Sequence, residues 1–165
     1  MSPEIDKLRS ALKEWNIDID DIKLEKFDRY MQLLLEWNKK MNLTAITEPD
    51  QIVIEHFMDS ISLLKLDIIE KCKNIIDVGT GAGFPGLPLK IMVPEIQIVL
   101  LDSLRKRTEF LQKVVEDLQL EGVSIIHGRA EDMGRREEYR EKFDIVVSRA
   151  APIYTRGRIE MPGRL

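Results

Sequence analysis

Cysteine is almost missing. Cys72 stands alone in a polar Lys-Cys-Lys setting, so no internal disulfide can form and the thiol reads as incidental. The two histidines, His56 and His127, lie far from it and from each other, so no metal site is expected. No apolar run approaches the ~20 residues of a membrane span. The opening Met-Ser-Pro-Glu-Ile-Asp lacks the basic-then-apolar order of a secretion signal, and a cytoplasmic protein with no membrane partner is expected. There is no excess of positive charge either. The net charge of −4 argues mildly against nucleic acid, although residues 105–165 carry 13 Lys/Arg against 11 Asp/Glu while residues 1–104 carry 12 against 18. The basic residues therefore gather in the half where a polyanion would have to approach.

What is present is the composition of a soluble globular chain, 44% hydrophobic and 33% charged over 165 residues. That is enough for one core and too little for two full domains. Ser2-Pro3-Glu4 starts a helix whose apolar face is Ile5, Leu8, Leu12 and Trp15. Asp20 or Asp21 caps a second, with Leu24, Phe27, Met31, Leu34, Leu35 and Trp37 facing inward. Asn38–Thr44 breaks the period and reads as a loop. Thr47-Glu48-Pro49-Asp50 has a capping-box pattern, and the helix it opens carries His56 and Asp59 at i and i+3, with Ser60 beside them.

After Asn74 the pattern changes to alternating strand and helix, the mark of a parallel sheet. Ile75, Ile76 and Val78 form a short strand that stops in Gly79, Gly81 and Gly83, with Pro85 where a helix can begin. Glycine suits a sharp turn with positive φ and lets a ligand approach the backbone; the free N–H groups of the turn and helix are expected to offer an electropositive end. Read from Gly81, the run is G-x-G-x-x-G (Gly81, Gly83, Gly86) with Asp102 about 20 residues on, as in dinucleotide-binding units. Read from Asp77, it is D-x-G-x-G-x-G, which resembles the first motif of S-adenosylmethionine (AdoMet) methyltransferases. Two details favour the second register. Asp77 suits a cofactor ammonium better than a pyrophosphate, and Gly79 follows the strand directly. Ile96–Leu101, Val123–His127 and Phe143–Val147 are further strands, with a helix over Leu104–Leu120 and a charged helix or loop over Glu131–Lys142. Ligands bind beyond the carboxyl ends of such strands, where Asp77, Asp102-Ser103, Ala130-Glu131 and Ser148-Arg149 share one rim.

The segments W-N-K-K-M-N-L-T-A-I (Trp37–Ile46), H-F-M-D-S-I (His56–Ile61), D-V-G-T-G-A-G-F-P-G-L-P-L (Asp77–Leu89), L-L-D-S-L-R-K-R-T-E-F-L (Leu100–Leu111) and V-S-R-A (Val147–Ala150) occur in one order. Together they resemble the RsmG/GidB family of small-subunit (16S) ribosomal RNA guanine-N7 methyltransferases. The resemblance implies a Rossmann-like class I AdoMet methyltransferase, an α/β fold with an N-terminal helical extension. It implies AdoMet contacts at Gly79, Phe84, Asp102, Ser103, Ala130, Glu131 and Arg149, to which the glycine motif adds Asp77, Gly81 and Gly83. Arg105, Lys106 and Arg107 are expected to bind RNA, with 16S rRNA or the small ribosomal subunit as partner. Guanine N7 offers an in-plane lone pair and no proton, so no catalytic base is assigned. His56, Asp59 and Arg149 are positioning candidates, Arg149 as a donor to guanine O6 or a neighbouring phosphate.

The resemblance stops after Ala150, and Ala151–Leu165 shows no strand or helix period. The expected division is 1–70 helical, 71–150 an incomplete AdoMet-binding core, and 151–165 a non-family tail, as a truncation or frame shift would leave. The C-terminal strands of the sheet are then missing, and the fourth strand is left as an apolar edge open to self-association. Two other readings remain from the residues: a nicotinamide-dependent (NAD) oxidoreductase using Gly81, Gly83 and Gly86, and a non-catalytic remnant that binds AdoMet or RNA.

Overall fold

The computed structural model describes residues 1–149 and, beyond them, the backbone of 154–155 and 158–159. Helix α1 (Pro3–Glu14) starts at Pro3 and buries Ile5, Leu8 and Leu12 completely, although the Ser2 hydroxyl makes no capping bond. Helix α2 (Asp21–Met41) is capped by Asp20, whose carboxylate accepts from the Lys23 amide at 2.8 Å. It continues through Asn38, where a loop is expected. The Asn38 side-chain carbonyl turns inward to accept from the Thr44 amide at 2.9 Å, and Asn42 ends the helix in the left-handed region with φ 48°.

The capping box at Thr47 does not form; Glu48 takes the N-cap position with no side-chain bond. Instead of one regular helix, the chain changes pitch. Helix α3 (Pro49–Gln51) widens into a π-helical stretch (Ile52–Met58), tightens through α4 (Asp59–Ile61) and ends in a 3-10 turn (Ser62–Lys65). Such π segments recur at functional sites, and this one buries His56 together with Ile52, Val53 and Phe57. A short α5 (Ile68–Lys71) leads into the sheet.

Strand β1 (Asn74–Val78) is followed by α6 (Gly86–Met92), β2 (Gln97–Asp102), α7 (Arg105–Asp117), β3 (Val123–His127), α8 (Ala130–Met133) and β4 (Ile145–Val147). These bounds fall close to the expected ones because apolar alternation marks strands locally; the charged 131–142 stretch contributes only part of the one-turn α8 before a run of turns. Parallel pairing gives the order β3-β2-β1-β4, with Asp77 facing Leu100 on one side and Val147 on the other. The strands' carboxyl ends therefore align on one rim, and the order reverses between β1 and β4. That is the Rossmann-like arrangement expected from the sequence.

The open fourth strand is a correction. Strand β5 (Tyr154–Thr155) pairs antiparallel with β4 at Ile145 and Val146, and β6 (Arg158–Ile159) pairs with β5. Two residues of main-chain pairing need no apolar alternation, so periodicity did not mark them. The other residues of the expected tail, and Ala150 before it, lie outside the described residues.

The scarce aromatics are concentrated where the helices meet the glycine turn. Tyr30 stacks on Phe84 at 5.4 Å, and Phe27, Phe57 and Phe110 pack around the pair. The Tyr30 hydroxyl donates to the Ala82 carbonyl at 2.5 Å, a buried bond that ties α2 to the turn. Gly83 leaves room for that tie. It holds φ +104°, and a Cβ there would lie 2.5 Å from Leu87 Cδ1 and 2.6 Å from the Tyr30 hydroxyl. Gly83→Ala is expected to destabilise the fold by about 3 kcal/mol through strain and overpacking. Tyr30→Phe, which orphans a buried carbonyl, is expected to cost about 1–2 kcal/mol. Urea midpoints at unchanged m-value check both, and the glycine variant must be the weaker.

Candidate functional site

The site is built around the turn that joins β1 to α6. Its glycines divide into two kinds. Gly79 (φ +67°) and Gly81 (φ +61°) face open space, with nothing within 4 Å of where a Cβ would stand. Gly83 and Gly86 are packing glycines, and a Cβ on Gly86 would meet Leu100 at 2.4 Å and the Asp77 carboxylate at 2.8 Å.

Most of the turn's amides are already committed, with Ala82 the exception. Gly79 and Thr80 both donate to the Leu101 carbonyl, Gly81 to Asp102 Oδ2, Gly83 and Phe84 to the Thr80 carbonyl, and Gly86 to Asp77 Oδ2. The donor-rich end expected from the sequence is therefore largely spent within the protein. Asp77 is corrected as well. Expected beside a cofactor's ammonium, it is fully buried under the turn, with Oδ2 accepting from Thr80 at 2.7 Å and from the Gly86 amide at 2.8 Å. Its Oδ1 has no partner. Burial raises its pKa to about 7, against the two hydrogen bonds that favour the charged form. Both faces of β1 are covered, so the strand holds Asp77 in the interior, where it braces the turn from below.

Above the turn lies a cleft of about 400 Å³. The end of β1 supplies Val78 and Gly79, the end of β2 supplies Leu101, Asp102 and Ser103, and the segment after β3 supplies Gly128 to Glu131. Four predicted residues that follow strands (Gly79, Ser103, Ala130, Glu131) and Asp102 at the end of β2 are thus brought together. Asp102 is 3% exposed; its Oδ1 accepts from the Leu104 amide at 2.9 Å, and its Oδ2 faces Arg107 at 3.5 Å as well as Gly81. Arg129 also lines the cleft and was overlooked, although the position-after-strand rule that picked Ala130 and Glu131 covers it.

The other predicted residues lie elsewhere. Phe84 is buried, Gly81 and Gly83 serve the turn's geometry, and none of the three lines the first cleft. Arg149 lines a second hollow of about 190 Å³ with Asp59, Ser62, Leu63, Pro85, Val147 and Ser148, beside the point where the strand order reverses. Its guanidinium bonds His56 Nδ1 and the Glu55 carbonyl and pairs with Asp59 at 3.5 Å. The three positioning candidates thus meet in space. The basic triplet separates instead. Lys106 donates to the Met41 carbonyl at 2.9 Å, closing the end of α2, and Arg107 turns to Asp102; Arg105 stays exposed.

The fold and cleft define a class, the Rossmann-like α/β proteins with a cleft beyond the carboxyl ends of their parallel strands. Solved structures share the architecture at low identity. They include a putative O-methyltransferase from Klebsiella pneumoniae (19% identical, TM-score 0.58, covering 88% of this chain and 58% of that one) and an O-methyltransferase from Bacillus cereus in complex with SAH (20%, TM-score 0.57, 86% and 60%). The family model described as GidB, rRNA small subunit methyltransferase G, matches residues 23–154, and the chain belongs to that family. It is 51% identical over 150 residues to the Ribosomal RNA small subunit methyltransferase G of Thermoanaerobacter sp. (strain X514), covering 90% of this chain and 62% of the relative. Against the protein of that name from Clostridium tetani (strain Massachusetts / E88) the identity is 51% over 145 residues, covering 88% and 61%. The chain thus spans about three-fifths of the length of the curated relatives it matches.

Two buried groups give the site opposite responses to acid. His56 is lowered to about 4, by burial first and by the Arg149 guanidinium second, so the native state holds fewer protons than the unfolded chain between pH ~4 and ~6.5. Its contribution to stability falls as pH falls through that window. Asp77, raised to about 7, holds a proton that the unfolded chain has lost, and its contribution falls as pH rises from ~4 to ~7. Urea unfolding from pH 4.5 to 6.5 should therefore show Asp77→Asn gaining stability relative to wild type as pH rises. His56→Asn should lose it over the same range, each by roughly 1–2 kcal/mol.

Proposed function

We propose that this chain carries the cofactor site of an enzyme that transfers a methyl group from AdoMet to N7 of a guanine in small-subunit (16S) ribosomal RNA. The observation that carries the reading is the shape and chemistry of the first cleft. Gly79 leaves open space beside it, and its walls carry two carboxylates, Asp102 and Glu131. A pyrophosphate would need the amides that Leu101, Asp102, Thr80 and Asp77 have already taken. A nucleoside with vicinal hydroxyls and a cationic sulfur suits acidic acceptors better. That contrast supports AdoMet over a nicotinamide dinucleotide.

When bound, AdoMet supplies an electrophilic methyl on a sulfonium. The chain's own residues do the holding. Asp102, fixed by two amides and Arg107, offers its remaining lone-pair capacity to ribose hydroxyls. Glu131, exposed on the far wall, supplies negative charge near a cationic cofactor. Ser103, Ala130 and Arg129 shape the adenosine side. The second hollow, walled by Arg149, Ser148 and Pro85 where the strand order reverses, is the place for the guanine. N7 needs no deprotonation before attack, and the rate then depends on alignment, where well-oriented groups gain ~7–11 kcal/mol. Arg105 and Arg129, both exposed, are cations suited to meet RNA phosphates.

The test is transfer of labelled methyl from AdoMet to undermethylated small-subunit RNA, with 7-methylguanine sought in the digest. Binding of S-adenosylhomocysteine without transfer would leave a binding remnant, and thermal protection by NAD alone would sink the reading. Gly79→Ala sharpens the test, because the new Cβ meets no protein atom and costs only about 1–2 kcal/mol of backbone strain. Calorimetry should nonetheless show S-adenosylhomocysteine affinity falling at least about tenfold, the ~1.4 kcal/mol that one blocked contact amounts to.

A further inference from the structure

Side chains from segments remote in sequence converge on the ring of His56. Its face stacks on Phe84 of the glycine turn with centroids 4.2 Å apart and planes inclined by 6°. Nε2 lies 3.0 Å from Thr44 Oγ1, on the loop after α2, and Nδ1 meets the Arg149 guanidinium beyond β4, 93 residues away. The ring is 5% exposed.

We propose that His56 is the positioning residue for Arg149: its unprotonated Nδ1 holds the guanidinium on the wall of the second hollow, oriented towards the methyl-accepting base. This rests on the methyl-transfer reading above.

The bonding admits one tautomer. A guanidinium has only donors, so Nδ1 must accept; the ring proton then sits on Nε2 and is donated to Thr44 Oγ1. Thr44 is itself fixed, because its hydroxyl accepts from the Ile46 amide at 3.2 Å and its amide donates to Asn38. Stacking on Phe84 sets the ring plane and Thr44 sets its rotation, so the lone pair on Nδ1 points in one direction only. The same Phe84 ring lies 5.6 Å from the guanidinium carbon. Burial and the adjacent cation both keep the ring uncharged, as an acceptor for Arg149 has to be.

The other holds on Arg149 do not replace this one. Asp59 is a long contact at 3.5 Å with its side chain 60% exposed, a kind of pair that orients weakly. The Glu55 carbonyl takes one N–H of the second terminal nitrogen. Two of the guanidinium's five N–H groups are thus hydrogen-bonded to His56 and Glu55 and a third faces Asp59, which leaves two for acceptors on a bound base or phosphate. Without the Nδ1 acceptor the guanidinium is free to swing towards Asp59 and solvent. Misplacements of this size cost rate rather than cofactor binding.

Two variants of the full chain separate the two edges of the ring. His56→Asn puts an amide oxygen where Nδ1 was, keeping an acceptor for Arg149. His56→Gln reaches the position of Nε2, keeping the bond to Thr44, and offers nothing to Arg149. With saturating AdoMet and undermethylated small-subunit RNA, H56Q is expected to lose kcat at least about tenfold with KM for AdoMet within about twofold. H56N recovers most of that loss, and H56Q on top of R149K adds no further loss. Equal rates for H56N and H56Q overturn the proposal, whether both are low or both are wild-type-like, since a ring that only packs would not distinguish the edges. Nitrogen-15 NMR of the wild-type chain gives a readout independent of turnover. The proposal requires a bare Nδ1 and a protonated Nε2, and the reverse tautomer, or a charged ring at neutral pH, overturns it. A wild-type chain with this tautomer that transfers no methyl group overturns the functional reading instead, together with the role of Arg149 that depends on it.

Discussion

The turn between β1 and α6 is held by buried polar contacts from three sides, and the rest of the site depends on that restraint. Asp77 grips it from below through Thr80 and the Gly86 amide, Asp102 takes the Gly81 amide from the neighbouring strand, and Tyr30 reaches Ala82 from α2. Four glycines permit the path, but glycines alone would leave it loose, because each gives up more conformational freedom on folding than any other residue. The bonds are made to groups with almost no access to water, so breaking one costs the desolvation of whatever is left unpaired.

This bracing links the helical part to the sheet. Tyr30 and Phe84 are stacked, Phe84 carries His56, and His56 carries Arg149. The same turn that floors the first cleft thus also determines, through two aromatic contacts, where a cation stands in the second. The π-helical stretch belongs to this arrangement: its wider pitch carries His56 inward while Glu55 and Asp59 remain exposed, and all three reach Arg149. Two hollows on either side of one rigid turn suit a reaction that requires a cofactor and an acceptor to be aligned and little else.

Short-range signals made much of this visible beforehand. Alternating apolar residues located β1 to β4 to within a few positions, and the rule that ligands bind beyond the carboxyl ends of parallel strands selected Gly79, Asp102, Ser103, Ala130 and Glu131, which do share a cleft. The same reasoning assigned Asp77 to the ligand because motif spacing says nothing about which face of the strand a carboxylate occupies. It counted Arg105, Lys106 and Arg107 as one basic patch, whereas helical geometry sends them three ways: to solvent, to the end of α2 and to Asp102. The capping box at Thr47 failed for a related reason, since local propensity there is overridden by the π-helical path that packs Ile52, Val53 and Phe57 into the core.

By itself, the amino-acid order determined what periodicity and glycine chemistry can dictate: parallel strands, a sharp turn after the first of them, and acidic residues at the rim. These depend on backbone preferences and on side chains within a few residues of one another. Only the tertiary structure decided that most of the turn's amides are spent internally, that Asp77 is a brace, that β4 has a neighbour on its outer side, and that His56 holds Arg149. Each of these is a contact between atoms far apart along the chain, brought together by burial of the apolar faces, and no local pattern records where such a contact forms.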